Sequence, residues 1–125
     1  MNKDRNPVGW FEIYVQDMNR AQQFYEKTFE VKLEPLPSSV IKMLAFPMRP
    51  DIPGSSGALV KWEGKGSGGG GTIVYFSCDD CAVEASRAIR HGGRVFKEKF
   101  SIGQYGFIAL VFDTEDNMIG LHSPR

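Results

Sequence analysis

The sequence predicts an α+β protein built from two βαβββ modules. Three observations carry that expectation. Sliding the 125-residue chain by 63 positions lays Trp10 on Ile73, Val15 on Cys78, Asp17 on Asp80, Glu30 on Gly93 and Gly57 on Gly120. Each half then reads strand–helix–strand–strand–strand. Between the halves lies one low-complexity stretch, residues 64–71, with six glycines in eight positions, which reads as a flexible connector. A half of that size cannot bury its own sheet, so the two are expected to join into a single domain spanning 1–125, with module one at about 7–63 and module two at about 72–123.

In the first module, residues 8–15 alternate. Trp10, Glu12 and Tyr14 point one way, and the wholly apolar set Phe11, Ile13 and Val15 the other, as in a half-buried strand. Asp17 has the chemistry of an N-cap. After it, Met18, Ala21, Phe24, Tyr25, Thr28 and Phe29 make the stripe of an amphipathic helix. Residues 31–33 read as a strand that Pro35 and Pro37 stop or mark as an edge. Residues 40–46 are the next strand. Three prolines and Gly54 then make an irregular loop, and residues 57–62 are the last strand of the module.

The second module restarts the pattern. Residues 72–78 are strand-like. Asp79 and Asp80 cap a helix holding Ala82, Ala85, Ser86 and Ile89, which Gly92 and Gly93 end through the left-handed conformation that glycine tolerates. Residues 94–97, 107–112 and 118–122 are strands, with a turn at 113–117.

Fifteen basic and fifteen acidic residues cancel. That argues against a nucleic-acid binder, which needs a basic face to displace counterions. With 42% hydrophobic residues, the composition is that of a chain with a core, not a disordered one. The longest apolar run, 107–112, has six residues, far short of the roughly 20 that span a bilayer. The N-terminal charges have no apolar stretch behind them, so no signal peptide is read there. Two cysteines, Cys78 and Cys81, do not make a secreted disulfide framework, and a reducing, cytoplasmic setting is expected.

The stretch from Trp10 to Asp17, the Phe24-Tyr25 pair, the Gly92-Gly93 helix stop and the closing segment from Phe112 to His122 resemble the vicinal oxygen chelate superfamily. That group includes glyoxalase I, extradiol dioxygenases, fosfomycin-resistance enzymes and bleomycin-resistance proteins. The resemblance covers nearly the whole chain. It implies curled mixed sheets around a central cavity, helices outside, and a homodimer formed through sheet edges or exchanged modules. In metal-using members, cavity-facing residues of the first and last strands hold a divalent ion. Register puts those positions here at Trp10, Ile73, Gly120 and, as the repeat equivalent of Gly120, Gly57. Indole N–H only donates, and isoleucine and glycine offer no side-chain lone pair. Metal-dependent glyoxalase or dioxygenase activity is therefore not expected, and no cofactor is. A two-residue slip would bring Glu12 to the ligand place, but one carboxylate does not make a metal site.

Strand parity assigns Trp10, Glu12, Tyr14, Ile73, Tyr75, Ser77, Met118, Gly120 and His122 to the cavity face. Glu12 among aromatic rings is a partly desolvated carboxylate, a condition for acid or base work; the plainer reading is a solvent-facing or ion-paired glutamate. Trp10, Tyr14, Tyr75 and Met118 form an aromatic floor suited to an aromatic or cationic ligand, or else fill the space as core. His122 is a candidate base or ligand contact, or a rim histidine; His91 reads as structural, in the last helical turn. Tyr105, in a glycine-flanked loop, can swing over a cavity mouth, or simply sit in a hairpin connection. Cys78 and Cys81 have redox spacing, but the aspartates between them disfavour a thiolate and Cys78 falls on the helix-packed face. The connector lacks the Gly-Lys-Ser/Thr of a phosphate loop.

The favoured expectation is a metal-free binder of a small organic molecule, like the sequestering resistance proteins of the group. The alternatives are a metal-independent enzyme, isomerase- or lyase-like, using Glu12, and a non-catalytic interaction subunit. The expected partners are that small molecule and a second copy of the chain, not nucleic acid or membrane.

Overall fold

The structure, a computed structural model, describes residues 3–37, 41–64 and 66–125. It forms two compact units, one spanning Trp10–Thr72 and one comprising Ile73–Arg125 with the start of the chain through Gly9. The strands and helices are β1 (Val8–Tyr14), α1 (Met18–Phe29), β2 (Glu34–Pro35), β3 (Lys42–Ala45), β4 (Ser56–Lys61), β5 (Thr72–Ser77), α2 (Cys81–Arg90), β6 (Arg94–Ser101), β7 (Phe107–Phe112) and β8 (Met118–Ser123). The βαβββ order thus appears twice, as the repeat predicts.

In the first unit the strands run in the order β2-β3-β4-β1. β1 pairs parallel with β4, Glu12 against Ala58 and Ile13 against Leu59, and β3 pairs antiparallel with β4. Asp17 caps α1 by accepting from the Arg20 backbone N–H at 3.0 Å. The helix lays Met18, Ala21 and Tyr25 over Leu33, Leu44 and Leu59, with Ile13 and Val15 from the β1 side. Three helix residues expected in that stripe are not in it: Phe24 is 59% and Phe29 61% exposed, and Thr28 is exposed as well. Phe24 lies off the Met18–Ala21–Tyr25 line, and Phe29 sits in the last turn, where its ring stacks on Tyr25.

Residues 31–33 are not a strand, contrary to the expectation. The Val31 N–H is taken by the Glu26 carbonyl and the Leu33 N–H by the Glu26 carboxylate, so these donors close the helix end instead of joining a ladder. Pairing starts one residue later and includes Pro35 itself, on a two-residue edge strand. The expected strand 40–46 is realised as β3; Val40, and Lys65 of the connector, lie outside the described residues. In the connector, Gly68 and Gly70 take positive φ.

In the second unit the order is β5-β8-β7-β6. β5 pairs parallel with β8, Tyr75 against Gly120 and Ser77 against His122. Asp80 caps α2 by accepting from Ala82 N–H. The helix buries Cys81 and Ala85, with Ala88 behind them, against Cys78, Ala109, Val111 and Leu121. Of the expected stripe, Ala85 is buried as expected, whereas Ala82, Ser86 and Ile89 face solvent. The cap at Asp80 makes Cys81 the first helical residue, and Ala85 and Ala88 follow it at helical spacing. Gly92, at φ +97°, ends the helix as expected. β6 runs on to Ser101, beyond the predicted end at Lys97, with two irregularities along its pairing to β7.

Candidate functional site

The Trp10–Tyr14 part of β1 sends Ile13 into the helix-side core and Trp10, Glu12 and Tyr14 to the opposite face. There the phenol of Tyr14 donates to Glu12 Oε1 at 2.7 Å, and the indole N–H of Trp10 donates to Glu12 Oε2 at 3.3 Å. Residues two apart on a strand share a face, so this pincer arises from one strand alone. Tyr14 is 5% exposed, while Trp10 and Glu12 are half-buried. The Tyr14 ring lies 6.3 Å from that of Trp62. Trp62 was not among the residues singled out from sequence, although its place two residues beyond Val60 on β4 gives it the same parity. The group presents an oriented carboxylate among aromatic rings, able to hold a cation or to exchange a proton.

The second unit brings together another part of the candidate set. Tyr75, 4% exposed, lies with its ring over Gly120: a Cβ there would come within 2.2 Å of Tyr75 Cδ1. Met118 and His122 share that strand face and are half-buried. Tyr105 is 42% exposed and ends the 3-10 turn Gly103–Tyr105. Two backbone hydrogen bonds close the loop that carries it. Ile102 N–H donates to Gly106 O at 2.8 Å and Gly106 N–H to Gly103 O at 3.1 Å. The Tyr105 carbonyl oxygen lies 2.6 Å from His122 Nε2. Trp10, Glu12 and Tyr14 thus belong to one unit, and Tyr75, Tyr105, Met118 and His122 to the other.

Register corrects one expected position. Gly57 opposes Phe11, and a Cβ on it would meet the Phe11 ring at 2.6 Å, so it faces with Phe11 toward the helix-side core. Ala58, opposite Glu12, is the repeat equivalent of Gly120, opposite Tyr75. The two are 62 residues apart, not 63, and a one-residue slip exchanges the faces of a strand. The residues at the positions where the family holds metal do not fit one. Trp10 is a donor turned onto Glu12, Ile73 and Ala58 are aliphatic, and Gly120 lies beneath Tyr75. Among the described residues, no group of three His, Cys, Asp or Glu side chains could hold a metal ion.

Both cysteines are free and buried. Burial, reinforced by the nearby Glu84 carboxylate, pushes the Cys78 thiol up to about 12, the opposite of what a redox thiol needs. The Ser123 hydroxyl, which no local sequence pattern marks, accepts from Cys81 N–H at 2.9 Å and so ties β8 to the start of α2. A concavity of about 250 Å³ lies at the start of α1, lined by Gln16, Asp17, Met18, Asn19, Lys42 and Lys61. None of the aromatic candidates lines it.

No family model and no curated protein matches the sequence. Solved structures do match in fold. A variant of Streptomyces coelicolor methylmalonyl-CoA epimerase in complex with 2-nitronate-propionyl-CoA is 14% identical, with a TM-score of 0.69 over 95% of this chain and 94% of that one. Methylmalonyl-CoA epimerase from Mycobacterium tuberculosis is 16% identical, with a TM-score of 0.68 over 95% and 88%. A mutant of 4-hydroxymandelate synthase from Streptomyces coelicolor is 16% identical, with a TM-score of 0.64 over 96% of this chain and 39% of that longer one. All three are proteins of the vicinal oxygen chelate superfamily. With its twice-repeated βαβββ order, parallel β1–β4 and β5–β8 pairs and these neighbours, the chain has the vicinal oxygen chelate fold.

Proposed function

We propose that this protein binds a small organic molecule bearing a cationic or aromatic group at the face formed by Trp10, Glu12 and Tyr14, without the metal used elsewhere in the superfamily. The observation that carries this reading is the doubly held carboxylate. Two donors orient Glu12 before any ligand arrives, which lowers the ordering cost of binding. Indole and phenol surfaces beside it favour a positive or aromatic group. The two modules act as one domain, and the chain works in the cytoplasm as a homodimer.

The test is calorimetric titration of benzylammonium against benzyl alcohol, which share the ring and differ in charge. The cation binds at least tenfold tighter, and Glu12→Gln removes that preference while its circular dichroism stays unchanged. Equal affinity for both probes, or no binding of either, defeats the reading and favours an interaction subunit.

A second reading has support in the structural neighbours, two of which are named as methylmalonyl-CoA epimerases. On this reading the Glu12 carboxylate takes a proton from the carbon next to a thioester carbonyl and returns it, with no metal step. Incubation with methylmalonyl-CoA in deuterium oxide then incorporates deuterium at that carbon, and Glu12→Gln abolishes the exchange. Absence of exchange by the unaltered protein excludes this enzyme reading.

A further inference from the structure

The geometry points to His122 as a second ligand-contact residue, an open hydrogen-bond acceptor locked in one tautomer by the main chain of Tyr105. His122 Nε2 stands 2.6 Å from the Tyr105 carbonyl oxygen. A carbonyl only accepts, so Nε2 carries the hydrogen. In the neutral ring the lone pair is then on Nδ1. Among the described residues, Nδ1 has no hydrogen-bond partner. No buried side-chain nitrogen or oxygen among the described residues lacks a partner, so an unpartnered Nδ1 on this half-buried residue reaches solvent.

The carbonyl that fixes the ring is itself fixed. It ends the turn Gly103–Tyr105, which is framed by Gly103 at φ +73° and Gly106 at φ +102° and closed by the two hydrogen bonds between residues 102 and 106 and between 106 and 103. A Cβ on Gly106 would meet the Ser123 carbonyl at 2.4 Å, so the turn packs directly on the end of β8. His122 is anchored from the other side by its own carbonyl, which accepts from Cys78 N–H at 2.7 Å. A histidine serving only to pin this loop needs Nε2 alone. What remains is a preorganised acceptor, complementary to a donor such as a phenol or an amide N–H. This inference uses residues of the second unit only, and stands whether or not Glu12 binds a cation.

The experiment uses the full chain labelled with nitrogen-15. Long-range proton–nitrogen correlation, with His122→Gln identifying the signal, is expected to show a protonated, pyrrole-type Nε2 and a pyridine-type Nδ1 in the neutral ring. A proton on Nδ1 overturns the proposal. p-Cresol, which donates, and 4-methylanisole, which cannot, are then titrated. The Nδ1 signal moves only with p-cresol, which binds at least about fivefold tighter, the worth of one neutral hydrogen bond. His122→Gln keeps a donor toward the Tyr105 carbonyl and loses the preference. Identical responses to the two probes in the unaltered protein overturn the ligand role, and that comparison does not depend on the variant folding.

Discussion

The Tyr14 hydroxyl donates to Glu12 at 2.7 Å from a residue that is itself 5% exposed, so the carboxylate is oriented by a side chain with little freedom to leave it. Hydrogen bonds to charged acceptors are the stronger class. Tyr14→Phe keeps the ring contact with Trp62 and removes the bond. It is expected to lower the unfolding free energy by about 1–2 kcal/mol and to weaken benzylammonium binding. Urea denaturation and calorimetry check the two effects separately.

The Tyr75 ring occupies the space a side chain at position 120 would need. Gly120→Ala therefore overpacks a buried contact and is expected to cost about 1–3 kcal/mol. Tyr75→Ala opens the space, so the double variant loses less stability than the two single losses added together. Strict additivity in a double-mutant cycle would show that the ring yields freely and that Gly120 is not held by it.

Burial raises Cys78, so the native thiol is expected to resist modification. At pH 8, Ellman's reagent reacts with neither cysteine until denaturant is added, then with both, and peroxide forms no native disulfide. Rapid labelling of the folded protein would contradict the buried placement of both side chains.

Asp113 organises the β7–β8 turn, accepting from the backbone N–H of Glu115 and Asn117 and from the Asn117 side chain. These donors, those of Asn117 foremost, hold its carboxyl below the usual value of 3.8. Asp17 is lowered by the Arg20 backbone N–H, Asp80 by Lys99, and Glu26 by the Leu33 N–H. A carboxyl lowered in the folded state stabilises it above the unfolded value, and that contribution is lost as pH falls through the folded value. The urea midpoint is thus expected to hold from pH 7 to about 5 and to fall below about 4. Asp113→Asn flattens that fall. A midpoint unchanged down to pH 2.5 would refute the assignment.

Much of this was open to reading in the residues themselves. The Trp10–Glu12–Tyr14 face, the Asp17 and Asp80 caps and the Gly92 stop depend on neighbours one to four positions away, and residue type fixes them. Ala85 was legible as a buried position of α2, but Ala82, Ser86 and Ile89 were not legible as exposed ones, because small residues surround the stripe and only the realised cap sets its phase. Trp62 was passed over because its contact with Tyr14 crosses between strands.

The two βαβββ modules, their α+β class and a candidate carboxylate among aromatics follow from the order of residues alone, because periodicity and capping are local and repeat along the chain. Which glycine faces which way depends on strand pairing in the folded chain. Gly57 turned to the helix-side core and Ala58 took the place opposite Glu12, since ladder register is set by strand pairing, not by counting along the chain. The tertiary structure also set the Tyr105 carbonyl beside the His122 ring. A carbonyl seventeen residues earlier lies beside the ring only because a turn pinned to the end of β8 carries it there.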